Sequence, residues 1–127
     1  MRKTTPTANE IENLNEQVSS LFRSYDSLCR DENIRLMVVL RPDKAEIMRN
    51  KYDYDFTPIF ASMKNEKQLK VIDLLPCYHS YLEKSHTSTD SYFWVQDGHH
   101  NSKGYAMMAH CIYQNVAPLL RDTNLTK

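Results

Sequence analysis

The residues best suited to chemistry lie in one run, Asp97-Gly98-His99-His100-Asn101-Ser102-Lys103-Gly104. Asp97 and His99 are two positions apart. In an extended loop such residues project to the same side, so the carboxylate can reach an imidazole N–H. A carboxylate in that position sets the tautomer of the ring and stabilises the imidazolium once it takes a proton. This is the orienter-and-base half of a hydrolytic device, with His99 as the base and Asp97 as its orienter. His100 is the alternate base. Gly98 frees the backbone for a turn. Asn101 suits the N-cap of a following helix, and Gly104 permits close helix packing. The same residues also admit a purely structural reading, a capping turn with solvated histidines.

Other chemistries are less well provided for. Asp97, His99, His100 and His110 do not make a convincing zinc set. Adjacent histidines in an extended loop point apart, and His110 lies about two turns along the next helix. No metal and no cofactor is expected. Gly98 and Gly104 are the only two glycines, so no glycine-rich phosphate cradle exists. The 16 basic and 16 acidic residues balance, and no basic run is dense enough for a nucleic-acid arm. There is no apolar stretch of about 18 residues to span a membrane and no apolar leader, which leaves localisation open. Cys29, Cys77 and Cys111 are odd in number and widely spaced. They read as separate buried thiols, which mildly favours a reducing compartment.

The elements that must position these residues follow from periodicity. Residues 1–7 are polar and are expected to be disordered. From Ala8 to about Asp31, Ile11, Leu14, Val18, Leu21, Phe22, Tyr25 and Leu28 form one apolar helical stripe. IRLMVVL, residues 34–40, predicts a central parallel strand, since it is apolar on both faces. Asp43 caps a short polar helix over 44–51, and Ile59 to Gln68 predicts another, with Thr57 and Pro58 as its N-cap and first position. LKVIDLL, residues 69–75, predicts the second strand, stopped by Pro76, with Asp73 capping the next loop. Residues 78–91 read as a long surface loop with one helical turn. The last helix spans about Ser102 to Arg121, its stripe running through Tyr105, Met108, Ala109, Ile112, Val116 and Leu119 or Leu120. The tyrosines at 52, 54, 78, 81 and 92 are available to line a groove. The strand, helical crossover and strand predict an α/β fold, a partial three-layer α/β/α sandwich with parallel strands near 34–40 and 69–75. One domain is expected over 1–127, incomplete because two strands cover too little of the helices. The loops after Leu40 and Leu75 and the loop at Asp97 to Asn101 would lie beyond the carboxyl ends of the strands, where ligands bind in such sheets.

DGHHNSKGYAMMA resembles the C-terminal Asp/His block of the SGNH (GDSL-like) hydrolases, which in one branch reads D-x-H-x-N-x-x-G. Asp97, His99, Asn101 and Gly104 fit its four positions. The D-x-x-H spacing of another branch would select His100, but the register of Asn101 and Gly104 favours His99. MVVLRPDKAEI, VIDLLP and YFWVQDGHH resemble neighbouring segments, so the resemblance covers about residues 34–117. It implies a flavodoxin-like SGNH fold and serine esterase or acyltransferase chemistry on a small-molecule or carbohydrate O-acyl ester. The G-D-S block with the nucleophilic serine has no counterpart here, nor has the oxyanion glycine. The resemblance therefore implies a C-terminal portion that supplies Asp97 and His99 but is inactive as an esterase by itself. The alternative from another class is a non-catalytic α/β interaction module that pairs, for instance as a homodimer, through an open sheet edge.

Overall fold

The computed structural model describes residues 5–61 and 69–122. Helix α1 spans Ala8–Asp31, strand β1 Leu36–Leu40, helix α2 Lys44–Arg49 and helix α3 Thr57–Ala61. Strand β2 is Leu69–Asp73, helix α4 Leu75–Ser85, and helix α5 Ser102–Asp122, with a 3-10 turn at Thr89–Tyr92. Among the described residues the fold is mixed α/β and mostly helical, with one parallel sheet of two strands, β1 beside β2. The α/β class expected from the element order is borne out, whereas among the described residues the two strands do not amount to the full flavodoxin-like sandwich that the resemblance implied. No helix among the described residues is long and apolar enough to cross a membrane.

The chain divides into two compact units, Met1–Val38 with Tyr54–Val71, and Val39–Asp53 with Ile72–Lys127. In the first, α1 starts at a capping box in which the Thr7 hydroxyl and the Glu10 carboxylate satisfy each other's backbone amides. Residues 1–4 of the expected disordered segment lie outside the described residues. Ile59 and Leu69 are the buried centre of this unit, with Val18, Phe22, Leu36, Val38, Tyr54, Phe56 and Phe60 packed around them. The expected stripe of α1 is covered only in part: Val18 and Phe22 face that centre, whereas Ile11, Leu14, Leu21, Tyr25 and Leu28 are exposed. The short α3 and the strand starts offer too little apolar surface to bury a helix of 24 residues. Thr57 lies inside α3, its amide donating to Asp55, rather than capping the helix. Residues 62–68, where that helix was expected to continue, are outside the described residues.

The second unit departs most from the sequence reading. Residues 75–85 form a full helix, not a loop. Pro76 opens α4 instead of merely ending the strand, because proline's fixed φ and missing N–H suit the first helical turn. The Asp73 carboxylate accepts the Leu75 amide and so closes the strand-to-helix corner. Leu75 and Tyr78, three apart, are buried on one face of α4. The polar composition of 79–91 hid this helix, because its stability comes from tertiary packing rather than from propensity. In α5 the buried positions are Gly104, Met107 and Cys111, one residue off the predicted stripe.

Cys77 of α4 and Cys111 of α5 form a disulfide, and Cys29 is free. The reading of all three as separate thiols is corrected, and with it the argument for a reducing compartment. The bond joins residues 34 apart, a closure that stabilises by about 3–4 kcal/mol through the entropy of the unfolded chain. Spacing alone could not reveal it, because the two sulfurs meet only when α4 forms.

Gly104 sits where α5 leaves the turn. A Cβ there would overlap the Tyr92 carbonyl and come within 2.6 Å of His100 Cδ2. Backbone cannot yield as a side-chain tip can. Replacing Gly104 with Ala should therefore lower stability by about 2 kcal/mol despite the better helix propensity of alanine. Urea denaturation measures this, and an unchanged or raised midpoint would refute the close approach.

Candidate functional site

All the residues of the candidate site belong to the second unit. The 93–101 segment folds into a closed loop. Phe93 and His100 make an antiparallel bridge, the Trp94 amide donates to the His99 carbonyl, and the Asn101 amide donates to the Tyr92 carbonyl. Gly98 turns the corner at φ +71°. Asn101 then bonds on two sides. Its Oδ1 accepts the Gly104 amide at 3.1 Å, capping α5, and its Nδ2 donates to the Ser91 carbonyl at 2.8 Å.

This loop brings Asp97 and His99 together. Oδ2 of Asp97 lies 3.4 Å from Nδ1 of His99, while Oδ1 accepts the His99 backbone amide at 3.0 Å. That backbone hydrogen bond, followed by attraction to the His99 ring, holds the Asp97 carboxyl below its usual range. Both side chains are open to water, 57% exposed for Asp97 and 69% for His99. With Nδ1 turned to the carboxylate, Nε2 is left to exchange a proton with a ligand. A shallow hollow of about 500 Å³ adjoins the pair, lined by Trp94, Val95, Gln96 and Asp97. Trp94 is more than half exposed and Val95 is 95% exposed, so both present apolar surface to solvent beside the pair.

His100 is placed in the opposite way. It is 2% exposed, its ring tilted against Phe93 with centroids 4.6 Å apart. Nη1 of Arg41 lies 3.5 Å from Nδ1, and the Tyr78 hydroxyl lies 3.3 Å from Nε2. Because arginine can only donate, Nδ1 must accept, and the network assigns the proton of the neutral ring to Nε2, donating to Tyr78. Burial, and then the Arg41 charge, push the His100 pKa down. Burial pushes the Tyr78 hydroxyl up to about 12, against a smaller opposite effect of Arg41. Three segments distant in sequence thus converge on His100: the end of β1, helix α4 and the loop before α5. Both ring nitrogens are engaged, so His100 does not offer a base to a ligand. Arg41 and Tyr78 were not recognisable from sequence as partners, since Arg41 read as the end of a strand and Tyr78 as one of several tyrosines.

Asp73 is occupied with structure, accepting from the Tyr52 hydroxyl at 2.7 Å as well as from the Leu75 amide. Burial and the Asp73 hydrogen bond push the Tyr52 hydroxyl pKa well up. His110 of α5 packs against Tyr81 of α4, and among the described residues Asp97, His99, His100 and His110 form no common ligand set. The described carboxylates that do gather within 4.8 Å of one another are Asp43, Glu46 and Asp53. Their closeness follows from capping: Glu46 and Asp43 satisfy each other's amides, and the Asp53 amide donates to Glu46.

The pH dependence of folding tests the His100 environment. Its folded pKa lies below the unfolded value of about 6.5. As pH falls through that value the unfolded chain takes a proton that the folded chain refuses, so stability drops below about pH 6.5 and is complete above it. A His100→Gln variant should show a flatter dependence in urea melts between about pH 8 and 5. Parallel slopes for the two proteins would assign the effect to other groups.

No family model matches the chain and no solved structure matches it. It is 27% identical over 106 residues to an ectonucleotide pyrophosphatase/phosphodiesterase of Caenorhabditis elegans, an alignment that takes in 83% of this chain. The chain spans about 13% of the length of that curated relative. This finding overturns the SGNH assignment and the serine esterase or acyltransferase function drawn from it, since the similarity is to a different class of hydrolase. The alternative of a non-catalytic interaction module gains no support from it either. The structure gives a physical reason for the misleading motif. Three of its four positions are held by local backbone needs. Asp97 closes a turn onto the His99 amide, Asn101 caps α5, and Gly104 clears the Tyr92 carbonyl.

Proposed function

We propose that this chain contributes a proton-transfer and substrate-contact segment to a hydrolase of phosphodiester or pyrophosphate bonds in nucleotides. The observation that carries the reading is the Asp97–His99 pair, with the carboxylate at Nδ1 and Nε2 open to solvent. The similarity to a pyrophosphatase/phosphodiesterase supplies the reaction class. Water serves as the nucleophile, so no serine is required of this segment. As the water oxygen bonds to phosphorus, its proton passes to Nε2 of His99. Asp97 stabilises the imidazolium across the 3.4 Å separation. The bond to the leaving oxygen breaks, and the imidazolium returns the proton to it. Arg41, held against His100, brings a permanent positive charge to the residue beside His99. Trp94, exposed beside Asp97, offers a stacking face to a nucleobase.

The test is release of p-nitrophenolate from bis(p-nitrophenyl) phosphate. His99→Ala should cost at least about a hundredfold, as loss of a general base does, and added imidazole should restore part of the rate. Asp97→Asn should lower the rate less. An activity indifferent to His99, or the absence of phosphodiester cleavage in the intact protein, would overturn the reading.

A further inference from the structure

A second hollow, about 630 Å³, lies between α4 and α5 and is lined by Ser80, Tyr81, Lys84, Ser85, His110 and Gln114, together with Cys77. Most of its polar side chains are uncommitted. The side chains of Ser80, Lys84 and Gln114 make no hydrogen bond or ion pair among the described residues, and the His110 side chain makes only its ring contact with Tyr81. The lining contains no carboxylate. The acids near it in sequence are engaged elsewhere, Glu83 with His79 on α4 and Asp90 with Lys44. The hollow therefore gathers one ammonium, one imidazole, one amide and the hydroxyls of Ser80, Tyr81 and Ser85 around space with no neutralising anion.

One wall is aromatic. The Tyr81 and His110 rings pack on each other, centroids 5.3 Å apart and inclined at 57°, and His110 is exposed, so this pair offers an outer aromatic face on which a flat ring can stack. Tyr81 is held from behind by Tyr92, edge to face at 6.1 Å, and the Tyr92 hydroxyl donates to Ser85. The floor is rigid, because the Cys77–Cys111 disulfide ties the two helices that form the sides. A preformed site of this kind loses little conformational entropy on binding.

We infer that the α4–α5 hollow binds a small anion carrying a flat heterocycle, of the class of nucleoside monophosphates. The heterocycle stacks on the exposed His110 ring, the Lys84 ammonium meets the phosphate, and Gln114 and Ser80 complete its hydrogen bonds. This inference stands independently of the Asp97–His99 reading, since it shares no residue with it.

Adenosine 5′-monophosphate, adenosine and inorganic phosphate, titrated separately into the 15N-labelled protein, test the site. The monophosphate should shift the amides of Ser80, Lys84 and Gln114, and adenosine and phosphate should each bind at least tenfold more weakly. Lys84→Gln should weaken the monophosphate at least tenfold while leaving the dispersed spectrum of the folded protein in place. Gln114→Ala, at an exposed position, provides a second variant and should weaken it several-fold. Binding should persist in His99→Ala, which separates this site from the proposed catalytic pair. Shifts confined to the 94–99 loop, affinity unchanged in Lys84→Gln and Gln114→Ala, or equal affinity for adenosine and the monophosphate would each overturn the inference.

Discussion

The second unit is organised around a neutral imidazole kept out of water. His100 carries polar nitrogens into a nearly closed space, which is tolerable only if both are hydrogen-bonded. Arg41 and Tyr78 supply those bonds, and in doing so they tie the end of β1 and the middle of α4 to the loop before α5. Removing either partner would leave a buried nitrogen unsatisfied, so the three segments depend on one another. The Cys77–Cys111 bond adds a covalent link between α4 and α5, one residue before Tyr78 on the same helix.

That arrangement has a chemical consequence for the neighbouring histidine. With His100 committed inward and Gly98 at positive φ, the chain has to present His99 on the opposite side of the loop, in water. Asp97 reaches it because its carboxylate already closes the turn onto the His99 amide. The turn that builds the loop and the pair that can move a proton are thus made by the same carboxylate. Such an exposed pair is weak as a stabilising interaction, and its value lies in orientation of the ring. The same double use explains why a four-residue catalytic signature can arise without the family it resembles: its acid, amide and glycine each have a local backbone to satisfy or to clear.

Both units enclose a small centre and leave apolar surface open. The second encloses Leu74, Tyr78, Met107 and Cys111 yet exposes Trp94, Val95 and Tyr113, and the first encloses Ile59 yet leaves most of the α1 stripe open. A helix with a clear apolar face and only a few residues to cover it retains exposed leucines, as Leu14, Leu21 and Leu28 do. Periodicity reports that a face exists but not how much surface the fold can lay against it.

Local features were legible in the sequence because their causes are local. The cap of Asp43 on α2 and the hydrogen bond from Gly104 to Asn101 each join residues three apart. The strands read at 34–40 and 69–75 form at Leu36–Leu40 and Leu69–Asp73, since strand-forming residues cluster locally there. What required tertiary structure were the contacts across long separations: Arg41 with His100 over 59 residues, Cys77 with Cys111 over 34, and Tyr78 with His100 over 22. Helix α4 belongs with them, since its buried face is defined only by what packs on it. The sequence by itself determined that an acid and two histidines sit in a turn before a helix. Only the fold decided which histidine goes inside, because burial of an imidazole depends on partners that no local pattern brings near.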